Sequence, residues 1–142
     1  MKRMMRILAV VVCVAATVGC KKATNEPGAT PGAAGVRVTE IDLGRSLAAD
    51  KGIADKTSEF RPSDTIYLSV ETDGTSPQAT LMTRWTYQDG QVVKELSETI
   101  APTGKTRTEF HIVKPDGWPA GKYAVAITLN GAAAGSKDFE VK

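Results

Sequence analysis

Cysteine is nearly absent from this chain of 142 residues: there are two, Cys13 and Cys20, and none follows. A domain built from the rest therefore has no disulfide, no thiolate metal site and no thiol nucleophile. Histidine is rarer still, with His111 alone. One imidazole without cysteine does not make a zinc site unless carboxylates converge on it, and no spacing of the acids suggests that. No serine sits in a G-x-S-x-G elbow, so serine–histidine chemistry lacks both its turn and a placed base. The acids Glu40, Asp42, Glu59, Asp64, Glu71, Glu95, Glu98 and Glu109 are scattered over turns and outward strand positions, where solvation is the default. No cofactor is implied.

Basic charge is also missing where it would matter. The formal net charge is +2, but residues 1–19 hold Lys2, Arg3 and Arg6 and no acid, which leaves −1 for residues 20–142. A nearly neutral body has no electrostatic footprint for nucleic acid. The longest apolar run, Ile7–Val18 (ILAVVVCVAATV), has twelve residues. As a helix it would reach about 18 Å, short of the roughly 30 Å hydrocarbon core. Behind the basic stretch MKRMMR, it reads as a secretory leader.

The run ends in Ala16-Thr17-Val18-Gly19-Cys20, with a small residue directly before the cysteine. This resembles the lipobox of bacterial lipoproteins, although Thr17 stands where that family most often has Leu. The resemblance implies that 1–19 is a signal peptide and that Cys20 becomes the first mature residue. Its sulfur would carry a diacylglycerol, and its new amino terminus an acyl chain such as palmitate. Each buried methylene contributes about 0.8 kcal/mol, so several chains hold a protein at a bilayer without a spanning helix. In a Gram-negative cell, Lys21 rather than Asp after the cysteine implies the outer membrane. Lys21 and Lys22 add attraction to anionic headgroups.

Residues 20–35 continue as a lipidated cysteine and a tether, KKATNEPGATPGAAG, with no aromatic and no large aliphatic side chain. Such a composition cannot offset its own ordering entropy, and fifteen flexible residues span roughly 20 Å. From Val36 the pattern turns to alternation. Seven strands are expected within 36–142: Val36–Leu43 with a bulge between Val38 and Ile41, Asp64–Glu71, Ala79–Tyr87, Gln91–Ile100, Lys105–Val113, Lys122–Leu129 and Ser136–Lys142. Arg45–Lys56 reads as a loop with a turn of helix, Gly131–Gly135 as a loop or weak edge, and Ala101–Thr106 (APTGKT) as a turn rather than a phosphate loop. Asp89-Gly90 and Asn130-Gly131 are hairpin signals.

Short antiparallel strands with one apolar face make an all-β sandwich. Trp85 on the third strand and Tyr123 at the start of the sixth, inside DGWPAGKYAVAITLNG, resemble the core tryptophan and tyrosine corner of immunoglobulin-like domains. The resemblance is to the disulfide-free bacterial form, with Val125 where a paired cysteine would stand. Fibronectin-like or jelly-roll connectivity stays open at this point.

The resulting expectation is a lipid-anchored, monomeric immunoglobulin-like domain of the bacterial envelope. It would be non-catalytic and would bind another envelope component, reaching the membrane only through its covalent lipid. One alternative is a carbohydrate- or peptidoglycan-binding domain using Trp118, the candidate ligand contact, with the outward Tyr67 as a further aromatic. In that case Trp118 is exposed; otherwise it folds over the open end of the sandwich as a lid. Another alternative is a hydrolase or inhibitor with a site hidden from sequence.

Overall fold

The computed structural model describes residues 35–142. The leader, Cys20 and the tether up to residue 34 lie outside the described residues. Within them the chain forms eight strands and no helix. They are β1 (Val36–Gly44), β2 (Glu59–Phe60), β3 (Ile66–Gly74), β4 (Ala79–Tyr87), β5 (Gln91–Ile100), β6 (Thr106–Ile112), β7 (Gly121–Leu129) and β8 (Ala132–Val141).

Alternation drives the architecture. Leu81, Thr83 and Trp85 on β4, and Val125, Ile127 and Leu129 on β7, have at most 1% of their surface exposed. Ile66, Leu68 and Val70 on β3 are fully buried on the other sheet. One sheet runs β1-β3-β6 and the other β2-β8-β7-β4-β5, antiparallel except for β2 against β8. The chain thus crosses between sheets after β1, β2, β3, β5 and β6, a Greek-key order that places the third, sixth and seventh long strands together as in immunoglobulin-type sandwiches. Tyr123 completes the likeness: its hydroxyl donates to Pro119 O at 2.7 Å, four residues upstream. Val125 follows two residues later and pairs with Trp85. The fold is an immunoglobulin-like β-sandwich without a disulfide.

Aromatic contact fills one end of that core. Phe139 packs on Phe60, Trp85 and Tyr123, with ring centroids 5.5, 5.9 and 5.2 Å away. Such pairs contribute about 0.5–1.5 kcal/mol beyond the area they bury.

The turns follow their residues. Asn130 (φ 51°) and Gly131 (φ 81°) form a two-residue hairpin between Leu129 and Ala132, the left-handed pair a primed turn requires. Gln88–Gly90 closes the β4–β5 hairpin with positive φ at Gln88 and Gly90. The β1 bulge lies between Val38 and Glu40, as expected, and leaves Thr39 as the extra residue.

Three expectations need correction. The strand count is eight rather than seven, because Glu59–Phe60 pairs in parallel with Glu140–Val141 and buries Phe60 to 1% exposure. The last strand begins at Ala132 rather than Ser136, since the tight Asn130-Gly131 turn returns the chain directly into the ladder. The small residues there serve packing: a Cβ on Gly135 would sit 2.5 Å from Ile41 Cδ1 of the opposite sheet. The Arg45–Lys56 loop has no helical turn. Leu47 and Ile53 bridge across it, Lys51 takes positive φ (64°), and Asp50 Oδ1 accepts from Gly52 N at 3.0 Å. An aspartate turn with a left-handed residue beside it competes with helix.

Candidate functional site

The sandwich has two ends. Gly35 enters at one, beside the β3–β4, β5–β6 and β7–β8 turns. At the far end lie the β4–β5 turn, the β6–β7 segment carrying Trp118 and the two ends of the Arg45–Ser58 loop, whose middle folds back so that Asp50 reaches Arg107 of β6.

Trp118 is 4% exposed, and its ring meets Tyr123 edge-on at 6.1 Å. Its indole Nε1 donates to Asp64 O at 3.0 Å and its backbone N to Pro62 O at 2.8 Å. The exposed tryptophan of the glycan alternative is corrected by this geometry. An indole with its N–H satisfied and its ring against Tyr123 closes the far end as a lid, with no free face for a sugar. Burial, then neighbouring Tyr87, pushes the Tyr123 phenol above its ordinary value.

His111 points outward, with its side chain 54% exposed, and its Nδ1 lies 2.5 Å from Glu109 Oε1. Tyr67, half-buried beside it, tilts against the imidazole at 5.6 Å between ring centroids. No group of three or more histidine, cysteine, aspartate or glutamate side chains among the described residues is placed to hold a metal ion. In APTGKT, Gly104 takes positive φ (136°) and strand β6 follows directly, so no helix N-terminus is presented to a phosphate. Lys105 turns back to Glu71 at 3.3 Å.

Glu71 is the charged residue of β3 that the alternation pattern misplaced, with Ser69 buried beside it on the same phase. Its position on β3 is outward, yet it is 7% exposed. Thr39 Oγ1, pushed out by the bulge, donates to Oε1 at 2.9 Å, and Arg107 Nη2 lies 2.9 Å from Oε2. Arg107 also pairs with Asp50 and, at 3.7 Å, with Glu40. The Thr39 hydrogen bond, followed by Lys105 and Arg107, holds the Glu71 carboxyl below its ordinary value. Cross-strand register places Arg107 opposite Glu71; that pairing was the only signal available in sequence. The carboxylate is satisfied on every side, which suits a structural clasp more than a reacting group.

Open hollows mark the surface. The one at the far end, about 480 Å³, is lined by Ser58, Glu59, Gln88, Lys122, Asp138 and Glu140 among others. Lys142 Nζ holds Glu59 at 2.6 Å; that contact lowers the Glu59 carboxyl and raises the Lys142 ammonium from their ordinary values. The lining is mixed, with side chains of both signs around Tyr123, Ala124 and Phe139, and the hollow is open to solvent.

No protein-family model and no curated protein matches the chain. Among solved structures, it is similar to an immunoglobulin-like protein from Pseudomonas aeruginosa, at 15% identity and TM-score 0.49, over 75% of this chain and 96% of that one. It is also similar to an alkylpurine DNA glycosylase of Pseudomonas fluorescens bound to abasic-site DNA, at 18% identity and TM-score 0.49. The match covers 75% of this chain and spans only 30% of the glycosylase. A third is the CARDB domain of a Pyrococcus furiosus protein in complex with di-metal ions, at 12% identity and TM-score 0.46, covering 75% and 85% of the two chains.

Proposed function

We propose that this chain is a lipid-anchored envelope protein whose sandwich is a non-catalytic module that binds another envelope component. One observation carries the reading: Gly19-Cys20 closes a basic-then-apolar leader too short to span a bilayer. Acylation of Cys20 holds the module at the membrane, and a Gram-negative outer membrane is the fitting surface. The chain enters the domain at Gly35, and the far end stands opposite that entry. That end carries the mixed-charge hollow around Lys122 and Glu59, a surface with the polar character of a protein-contact rim.

The test is made in the producing cells. Cys20→Ala should move the protein from the membrane to the soluble fraction, and mass spectrometry of the native N-terminal peptide should find Cys20 acylated. Membrane retention of the variant, or a free thiol on Cys20, overturns the anchor. Crosslinking in intact cells should capture one envelope protein with the wild type. That product should disappear when residues 36–142 are deleted and the leader and tether are kept.

A further inference from the structure

The edge strand β5 carries an unusual pair of charges. Residues opposite one another on antiparallel strands share a face, and Ala79, Leu81, Thr83 and Trp85 of β4 point into the core. Their partners Ile100, Glu98, Leu96 and Lys94 therefore line the inward side of β5. Leu96 and Ile100 pack on the core margin, while Lys94 and Glu98 are exposed and have no ion-pair partner among the described residues. Next to them the bulged Val93, 36% exposed, and Val92, 43% exposed, leave apolar surface uncovered. The other edge of the sheet, β2, is only two residues long. β5 is ten residues long, and the outward-pointing half of its backbone groups has no strand beside it.

We propose that β5 pairs antiparallel with β5 of a second copy of this chain, about a two-fold axis through Leu96. In that register Lys94 faces Glu98 of the second copy, and Glu98 faces its Lys94. Leu96 meets Leu96, so an apolar pair sits on the axis between the two ion pairs. The charges that guard this edge select the register. An axis through Glu95 sets two carboxylates against each other, and one through Ser97 leaves Lys94 against Ile100 and Glu98 against Leu96. Parallel pairing in register matches like with like, which is destabilising. Inward charges normally block edge pairing; here they admit one self-complementary partner. Two five-stranded sheets become one, and the monomer expected from sequence becomes the dissociated form. The inference is independent of the anchor.

Sedimentation velocity of the full chain over a wide concentration range tests it, in detergent micelles if the protein fractionates with membranes. The wild type should show a monomer–dimer equilibrium. Lys94→Glu and, separately, Glu98→Lys should each weaken it about tenfold or more, since both symmetric pairs turn repulsive. The double variant Lys94→Glu/Glu98→Lys should restore it. A wild type that stays monomeric throughout, a dimer indifferent to either single reversal, or a double variant that fails to recover overturns the proposal. Both side chains are exposed, and a melting curve for each variant verifies folding.

Discussion

The two ends of the sandwich are held by different physics. At the far end, rings do the work: Trp118 on Tyr123, Tyr123 on Phe139, Phe139 on Phe60 and Trp85. The bonds that fix its rings, Trp118 Nε1 to Asp64 O and Tyr123 Oη to Pro119 O, involve neutral groups, while its ion pairs, Arg45–Asp64 and Lys142–Glu59, lie on the exposed rim. At the entry end, contact is made by backbone and charge. Gly35 and Gly74 pass so closely that a Cβ on Gly74 would lie 1.6 Å from Gly35 O. Beside them Glu71 gathers Thr39, Lys105 and Arg107. Apolar ring contact is indifferent to pH, whereas a carboxylate clasp is not. The two ends should therefore fail under different stresses.

The largest effect should come from the ring end. Trp118→Ala removes an indole that is 4% exposed and should cost about 3 kcal/mol or more, lowering Tm by roughly 10 °C or more. Thermal melts of the two proteins read it directly. Trp118→Phe keeps a ring while losing the bond to Asp64 O, and should fall between them. A melt unchanged by Trp118→Ala would mean that the lid is dispensable and that the ring is free for other contacts. At the entry end, Gly74→Ala forces a side chain onto φ 122° and into the Gly35 carbonyl; a strained backbone position of this kind costs about 2 kcal/mol. Gly131→Ala, where nothing lies within 4 Å of the added carbon, separates strain from collision and should cost less.

How far each end was legible in sequence follows from the same contrast. Period-two alternation located β4 and β7, and with them Trp85, Tyr123 and Val125, because those signals are local. The Asp89-Gly90 and Asn130-Gly131 turns were readable for the same reason. Burial of Trp118 was not settled by DGWP, since its partner Asp64 lies 54 residues away. β2 was missed because two residues have no periodicity, and its pairing depends on where β8 ends. Glu71 was assigned to solvent by phase alone. What covers it is the bulge at Thr39 together with the β3–β6 register that brings in Arg107, and no single segment encodes both.

The smallest effect is also the most discriminating. The folded state holds the Glu71 carboxyl below its usual value of 4.5, first through the Thr39 hydrogen bond and then through Lys105 and Arg107. Folding thus favours the ionised form, and the stability this contributes is fully present above about pH 4.5. It is lost as pH falls through the lower folded value. Glu59 is lowered as well, by Lys142, but its side chain is 61% exposed and that pair should yield to salt. Denaturant unfolding across an acid series at high salt should therefore show a slope that Glu71→Gln flattens. The deficit of Trp118→Ala should stay constant over the same range. If Glu71→Gln keeps the native acid slope, the clasp is not what ties the entry end to pH, and the two ends differ only in packing.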